Sequence, residues 1–222
     1  MIITIDGPAG TGKSTVARRL AQALGFVYFD TGAMYRALTL EMIGSNISPD
    51  DEESTRKILA HFPFRMENDS GHFRYYLGEQ EISDEIRTPE VTALVSQVAA
   101  RPWVRQSLVQ IQRQFSTACD AVYEGRDLGS VVFPHATMKI FLTASPEIRA
   151  QRRYAEWQAK GSQGSPPLDQ VLKDLIRRDH LDSTREHSPL VQPKDAHVVD
   201  TSDLTIDEVV HELIKLWNNT PH

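Results

Sequence analysis

The chain has 222 residues, 40% hydrophobic and 24% charged, with a formal net charge of −6. This is ordinary for a soluble globular protein of one domain with room for an insertion, and the acidic balance argues against a broad nucleic-acid surface. No apolar run approaches the roughly 18 residues of a membrane span. The single Cys119 rules out an internal disulfide and fits a reducing compartment, and the N-terminus lacks the basic start of a signal peptide.

Met1-Ile2-Ile3-Thr4-Ile5 reads as a buried strand. Gly7, Gly12, Lys13 and Ser14 follow at the spacing G-x-x-x-x-G-K-[ST]. Gly7 and Gly12 permit backbone angles that a Cβ would forbid, so the loop can turn its N–H groups inward onto phosphate oxygens. Thr15 to Leu24 reads as a helix with Val16, Leu20 and Leu24 on one stripe and Gly25 as its stop. The start of that helix adds its positive end. Lys13 is spaced to reach the β- and γ-phosphates, and the Ser14 hydroxyl to ligate Mg²⁺. A strand before and a helix after are the context this motif requires. The chain is therefore expected to bind a nucleoside triphosphate.

A second strand over Phe26–Phe29 leads into FDTGAMYR. Thr31 can cap a helix starting at Gly32 or Ala33, with Arg36 on its first or second turn. A helix start beside an arginine fork makes an anion site; a plain cap with a surface arginine is the alternative. Phe62–Glu67 and His72–Leu77 read as strands joined through Asn68-Asp69-Ser70-Gly71, with a third near Glu81-Ile82, an antiparallel insert in a parallel pattern. The next strand, Ala121–Tyr123, runs into YEGRDLGSVVFP and sets Arg126 and Asp127 at its end. An acidic residue there can serve Mg²⁺ or its waters; a surface Arg–Asp pair of little weight is the alternative. Met138–Leu142 is a further strand, and KGSQGSPP, Lys160–Pro167, reads as a mobile loop. After it, Arg178, Asp182 and Arg185 fall at i, i+4 and i+7 on one helix face. Two arginines held by an aspartate suit a clamp on phosphates that closes as a lid; a solvated charge pair is the bland reading. His197–Val199 is the last strand, and the tail after Trp217 is short and polar.

Strands alternating with helices predict a parallel sheet with helices on both faces and ligands at the carboxyl edge of the strands. The stretches IDGPAGTGKST, FDTGAMYRA, EIRTPEVTALVSQVAA with PWVR, EGRDLGSVVFP, KIFLTASPEIRAQRR and RRDHLDSTREHSPL together resemble the bacterial-type cytidylate kinases over nearly the whole chain. DTGAMYR and GRDLGSVVFP, in this order and with an insert between, are far more specific than the phosphate loop. The resemblance implies an α/β fold of P-loop NTPase type: a five-stranded parallel sheet with helices on both faces, a small antiparallel insert and a helical lid. It implies a single kinase domain over 1–222, a monophosphate-binding insertion at 36–105 and a lid region at 153–186. The implied activity is transfer of the γ-phosphate of ATP to CMP or dCMP, with Mg²⁺ accompanying ATP. A kinase for another nucleoside monophosphate such as UMP is the alternative.

Matched by position, Gly7, Pro8, Ala9, Gly10, Thr11, Gly12, Lys13, Ser14 and Thr15 would hold ATP, with Ser14 also on the metal. Thr31, Arg36, Arg126 and Arg185 would hold the CMP phosphate, and Ser96, Arg105 and Asp127 would face the cytosine. Arg178 and Asp182 would meet the ribose or the phosphates. Lys13, Arg126, Arg178 and Arg185 would form the catalytic set. The acceptor is already an anion, so positioning and charge stabilisation replace a strong base. A GTPase would carry Asn-Lys-x-Asp and a transporter ATPase Leu-Ser-Gly-Gly-Gln; neither string occurs. The expected partners are ATP and CMP or dCMP, with no nucleic-acid polymer and no membrane, for a cytoplasmic monomer.

Overall fold

The structure is a computed structural model describing residues 1–69, 72–159 and 166–220. In chain order the elements are β1 Ile2–Asp6, α1 Lys13–Leu24, β2 Val27–Asp30, α2 Thr31–Gly44, α3 Glu52–Ala60, β3 Phe64–Asp69, β4 His72–Leu77, β5 Gln80–Glu81, α4 Pro89–Ala99, α5 Pro102–Phe115, β6 Ala121–Glu124, β7 Met138–Thr143, α6 Pro146–Ala159, α7 Leu168–Thr184, β8 His197–Asp200 and α8 Ile206–Asn218. They fall into two compact units, Met1–Phe29 with Cys119–His222, and Asp30–Ala118.

The first unit is built on a five-stranded parallel sheet in the order β2-β6-β1-β7-β8. β1 lies at its centre, with Ile3 opposite Val122 of β6 and Ile5 opposite Ile140 of β7. A strand flanked on both sides and covered on both faces has no wet side. Hence it is apolar up to Asp6 except for Thr4, and Ile3, Thr4 and Ile5 are all fully buried. The step from β1 to β2 runs one way along the sheet and that from β7 to β8 the other. Right-handed crossovers then put α1 and the α6–α7 pair on opposite faces. Helix α1 buries Val16 and Leu20 as its stripe predicts, each worth about 2 kcal/mol of burial, and it ends at Gly25. It begins at Lys13, two residues before the expected Thr15. β2 begins at Val27, one residue after the expected start.

In the second unit α2 buries Met34, Leu38 and Met42 and packs on α4, while α3 packs on α5. β3, β4 and β5 form the expected antiparallel sheet, with Phe64 opposite Leu77 and Tyr76 opposite Glu81. Its first strand starts at Phe64 and not at Phe62, because Pro63 has no N–H to add to a ladder. Ser70 and Gly71 of the expected turn, and 160–165 of the KGSQGSPP stretch, lie outside the described residues. Among the described residues no helix is long and apolar enough to cross a membrane.

Candidate active site

The phosphate loop runs from β1 into α1 at the carboxyl edge of the sheet. Gly7 has φ +144°, and a Cβ there would stand 2.0 Å from the Leu142 carbonyl oxygen, so only glycine fits. Gly12, at φ +85°, is the N-cap of α1 and gives it no side-chain hydrogen bond. The first N–H groups of α1 thus keep their capacity for a phosphate oxygen. Lys13 is buried, with Nζ donating to the Pro8 carbonyl at 2.6 Å and to Thr11 Oγ1 at 3.4 Å. Burial, and then the nearby Arg126, push its pKa well below the ordinary lysine value. An ammonium desolvated in this way gains most from an arriving anion.

Two carboxylates close the floor of the loop. Ser14 Oγ donates to Glu124 Oε2 at 2.9 Å, and the Tyr28 hydroxyl donates to Glu124 Oε1. Glu124 is the last residue of β6 and is buried. Asp6, the last residue of β1, accepts from the N–H groups of Leu128 at 2.9 Å and Gly129 at 2.8 Å. These bonds fix the single π-helical turn Leu128–Val132 that follows Asp127. Burial pushes the Asp6 carboxyl up to about 6, although the two N–H groups act against it.

An arginine–aspartate cluster adjoins the loop. Arg126 donates from Nε to Asp182 Oδ2 at 3.0 Å and from Nη1 to the Gly7 carbonyl at 2.9 Å. Arg185 Nη2 lies 3.4 Å from Asp127 Oδ1, and its Nε donates to the Ser188 carbonyl at 2.5 Å. Burial raises the Asp182 carboxyl, but Arg126, Arg178 and Arg185 together outweigh it and hold the group below its usual range. The Arg178 guanidinium is pushed down to about 10, chiefly by burial and then by Arg126. Arg126, Arg178, Asp182 and Arg185 are therefore one electrostatic group. Arg178, Asp182 and Arg185 do not all share one helix face as expected: α7 ends at Thr184, and Arg185 has an extended backbone. The Leu190 N–H bonds the Asp182 carbonyl at 2.8 Å, and this return of the chain ends the helix.

The remaining expected residues lie in the second unit. Thr31 does not cap α2. It is the buried first residue of that helix, and Asp30 is the cap, accepting from the Ala33 N–H at 3.0 Å. Arg36, on the second turn, donates from Nη1 to Thr92 Oγ1 at 2.9 Å and to the Ile86 carbonyl at 3.1 Å. Half-buried Ser96 stands one turn beyond Thr92 on α4. Arg105 is buried, with its guanidinium carbon 5.4 Å from the Tyr35 ring centre and Nη1 donating to the Ala99 carbonyl at 3.3 Å. Arg36 thus ties α2 to α4, and Arg105 ties α5 to α4 and to Tyr35 of α2.

A family profile described as cytidylate kinase matches residues 3–219. A cytidylate kinase of Protochlamydia amoebophila is 47% identical over 217 residues, covering 97% of this chain and 95% of that protein. One from Mycobacterium leprae is 49% identical over the same length with the same shares. The chain belongs to the cytidylate kinase family. In fold it is also similar to a shikimate kinase from Bacteroides thetaiotaomicron, at a TM-score of 0.51 and 12% identity, with 98% of each chain covered.

For this cytidylate kinase family member, the structure adds residues that the sequence reading missed. Glu124 touches Ser14, and Asp127 pairs with Arg185. The missed signal is an acidic residue at the carboxyl end of a buried strand beside the phosphate loop. Asp6 carries the same signal at the end of β1. Arg149 and Asp179, both bound to Ala9 of the loop, carry none, because α6 and α7 are distant from it in sequence.

Proposed function

We propose that the chain transfers the γ-phosphoryl group of ATP to CMP or dCMP, releasing ADP and CDP or dCDP. The observation that carries this reading is Arg126, bonded at once to the phosphate loop through the Gly7 carbonyl and to Asp182 of the arginine cluster. A cationic group fastened to a phosphate loop suits two anionic reactants drawn into line. Family membership supports a nucleoside monophosphate as the acceptor.

The acceptor oxygen is already anionic, so no side chain has to remove a proton. The loop amides of Gly7 to Thr15 and the Lys13 ammonium would hold the donor phosphates. Lys13, Arg126, Arg178 and Arg185 would stabilise charge on the moving group in a site closed to water. We assign Thr31 and Arg36 to the acceptor phosphate together with Arg126 and Arg185. Asp182 would order the arginines and meet the ribose, and Ser96, Arg105 and Asp127 would read the cytosine. The segment 36–105 would then serve as the monophosphate-binding insertion, and α7 within 153–186 as the lid helix.

The hydroxyl of Ser14 and the carboxylate of Glu124, 2.9 Å apart, are hard oxygen donors of the type Mg²⁺ takes. Ser14 would hold the ion and Glu124 its waters. When bound, Mg²⁺ supplies neutralising charge to the donor phosphates. The acidic charge of −6 and the lone thiol fit a cytoplasmic monomer acting on free nucleotides.

Coupled ADP release with CMP, dCMP, UMP, AMP and GMP as acceptors tests the reading. CMP and dCMP are expected to support turnover far above the others. ADP release independent of any acceptor would remove it.

A further inference from the structure

We propose that Asp179 of α7, held by Arg149 of α6, is a positioning residue for the donor nucleotide, acting through the backbone of Ala9 in the phosphate loop. The inference rests on the phosphotransferase reading above. Ala9 is gripped on both sides of its Cα. Its N–H donates to Asp179 Oδ1 at 3.3 Å, and its carbonyl accepts from Arg149 Nη1 at 3.0 Å. The same Nη1 donates to Asp179 Oδ2 at 2.5 Å, which closes a ring of bonds around one loop residue. Arg149 Nε donates to the Ala144 carbonyl at 3.0 Å, so the guanidinium is anchored at the root of its own helix. The two side chains are 5% and 18% exposed, leaving little water to weaken the pair.

The apolar contacts repeat the arrangement. Ala9 sits in a buried cluster with Ala150 of α6 and Val171 and Leu175 of α7. One turn along α6, Arg152 donates to Thr201 Oγ1 at 3.0 Å and to its carbonyl at 2.5 Å. The single hydrogen of Thr201 Oγ1 is shared between the Thr11 carbonyl at 3.2 Å and the Thr143 carbonyl at 3.1 Å. α6 thus braces the loop on either side of Gly10, directly through Arg149 and indirectly through Arg152.

A phosphate loop works by aiming its N–H groups, so a loop held in another shape aims them elsewhere. An ion pair that only joined α6 to α7 would have no need of the Ala9 peptide. It would also gain little over the apolar packing already present between these helices. α7 carries Arg178 and Asp182 as well, so a helix that contributes to the arginine–aspartate cluster also sets the shape of the donor loop.

The test compares wild type, Asp179→Ala and Asp179→Asn. Coupled ADP release is measured with ATP and CMP varied in turn, and ATP binding without acceptor is titrated by calorimetry. In Asp179→Ala the KM and Kd for ATP should rise about tenfold or more, with the KM for CMP held within about twofold. In Asp179→Asn the single amide oxygen can serve Ala9 or Arg149 but not both, so an intermediate loss of ATP affinity is expected. ATP constants unchanged in both variants, or ATP and CMP constants rising in equal proportion, would overturn the proposal. Should the alanine variant fail to fold, the same split read on the asparagine variant decides. Wild type with no CMP-dependent turnover would sink the phosphotransferase reading alone, since the ATP titration still reports on Asp179.

Discussion

Arg185 and Asp127 form an ion pair at 3.4 Å in which both side chains are only 7% exposed. One is assigned to the acceptor phosphate and the other to the base, and each neutralises the other. Removing Asp127 leaves a buried guanidinium short of its counter-charge. Asp127→Ala is expected to lower stability by about 2 kcal/mol. The double variant Asp127→Ala/Arg185→Met should lose less than the sum of the two single losses. Urea unfolding of the three variants checks this; strictly additive losses would show that the pair does not couple.

Lys13→Ala should reduce kcat roughly 10²–10³-fold, the usual cost of deleting one charge-stabilising donor at a reacting group. It should not reduce stability, because Lys13 is a buried ammonium whose pKa is already well below its ordinary value. The paired measurement is turnover and melting temperature. A folded variant with near-normal kcat would remove Lys13 from the reaction.

Asp6 should leave a signature in stability against pH. Its folded pKa of about 6 lies above the ordinary carboxylate value of 3.8. The native state therefore holds this proton more tightly than the unfolded chain. Its contribution is full below the ordinary value and is lost as pH rises through the folded value. Wild type should lose up to about 3 kcal/mol relative to Asp6→Asn between about pH 4 and pH 6. Unfolding of both proteins across that range is the measurement. A constant difference between them would mean that Asp6 titrates normally.

Base choice should depend on Arg105 and Ser96. Cytosine offers an amino group at position 4 and acceptors at N3 and O2; uracil offers an oxygen at position 4 and a donor at N3. The Asp127 carboxylate suits the amino group and opposes the oxygen, while Arg105 and Ser96 donors suit N3 and O2. Arg105, buried beside Tyr35, is held in one orientation. The ratio of kcat/KM for CMP over UMP should fall about tenfold or more in Arg105→Met or Ser96→Ala. Equal loss on both substrates in both variants would place base reading elsewhere.

The parallel strands were legible because a strand buried on both faces needs a largely apolar run, and Ile2 to Ile5 and Met138 to Leu142 are apolar but for Thr4 and Lys139. The phosphate loop was legible because its glycines answer a steric demand, visible in the Leu142 oxygen beside Gly7. The helix cap was misread by one residue. Asp30 and Thr31 can both cap, and only the bond to the Ala33 N–H separates them. Arg185 was placed on α7 by assuming that the helix continued, whereas the bond from Leu190 to Asp182 turns the chain back. Glu124 was overlooked beside the more conspicuous Arg126-Asp127 pair. Arg149 and Asp179 were out of reach, because a side chain that holds a distant backbone group leaves no spacing to count.

Arg126 Nη1 lies 2.9 Å from the Gly7 carbonyl, so an arginine assigned to the acceptor shares a bond with the donor loop. An acceptor that pulls Arg126 away from Gly7 would loosen that bond, and an occupied loop that shifts Gly7 would bias where Arg126 rests. The affinities of the two nucleotides would then be thermodynamically linked. Whatever factor the acceptor imposes on the binding of ATP, ATP imposes on the acceptor in equal measure, independent of which arrives first.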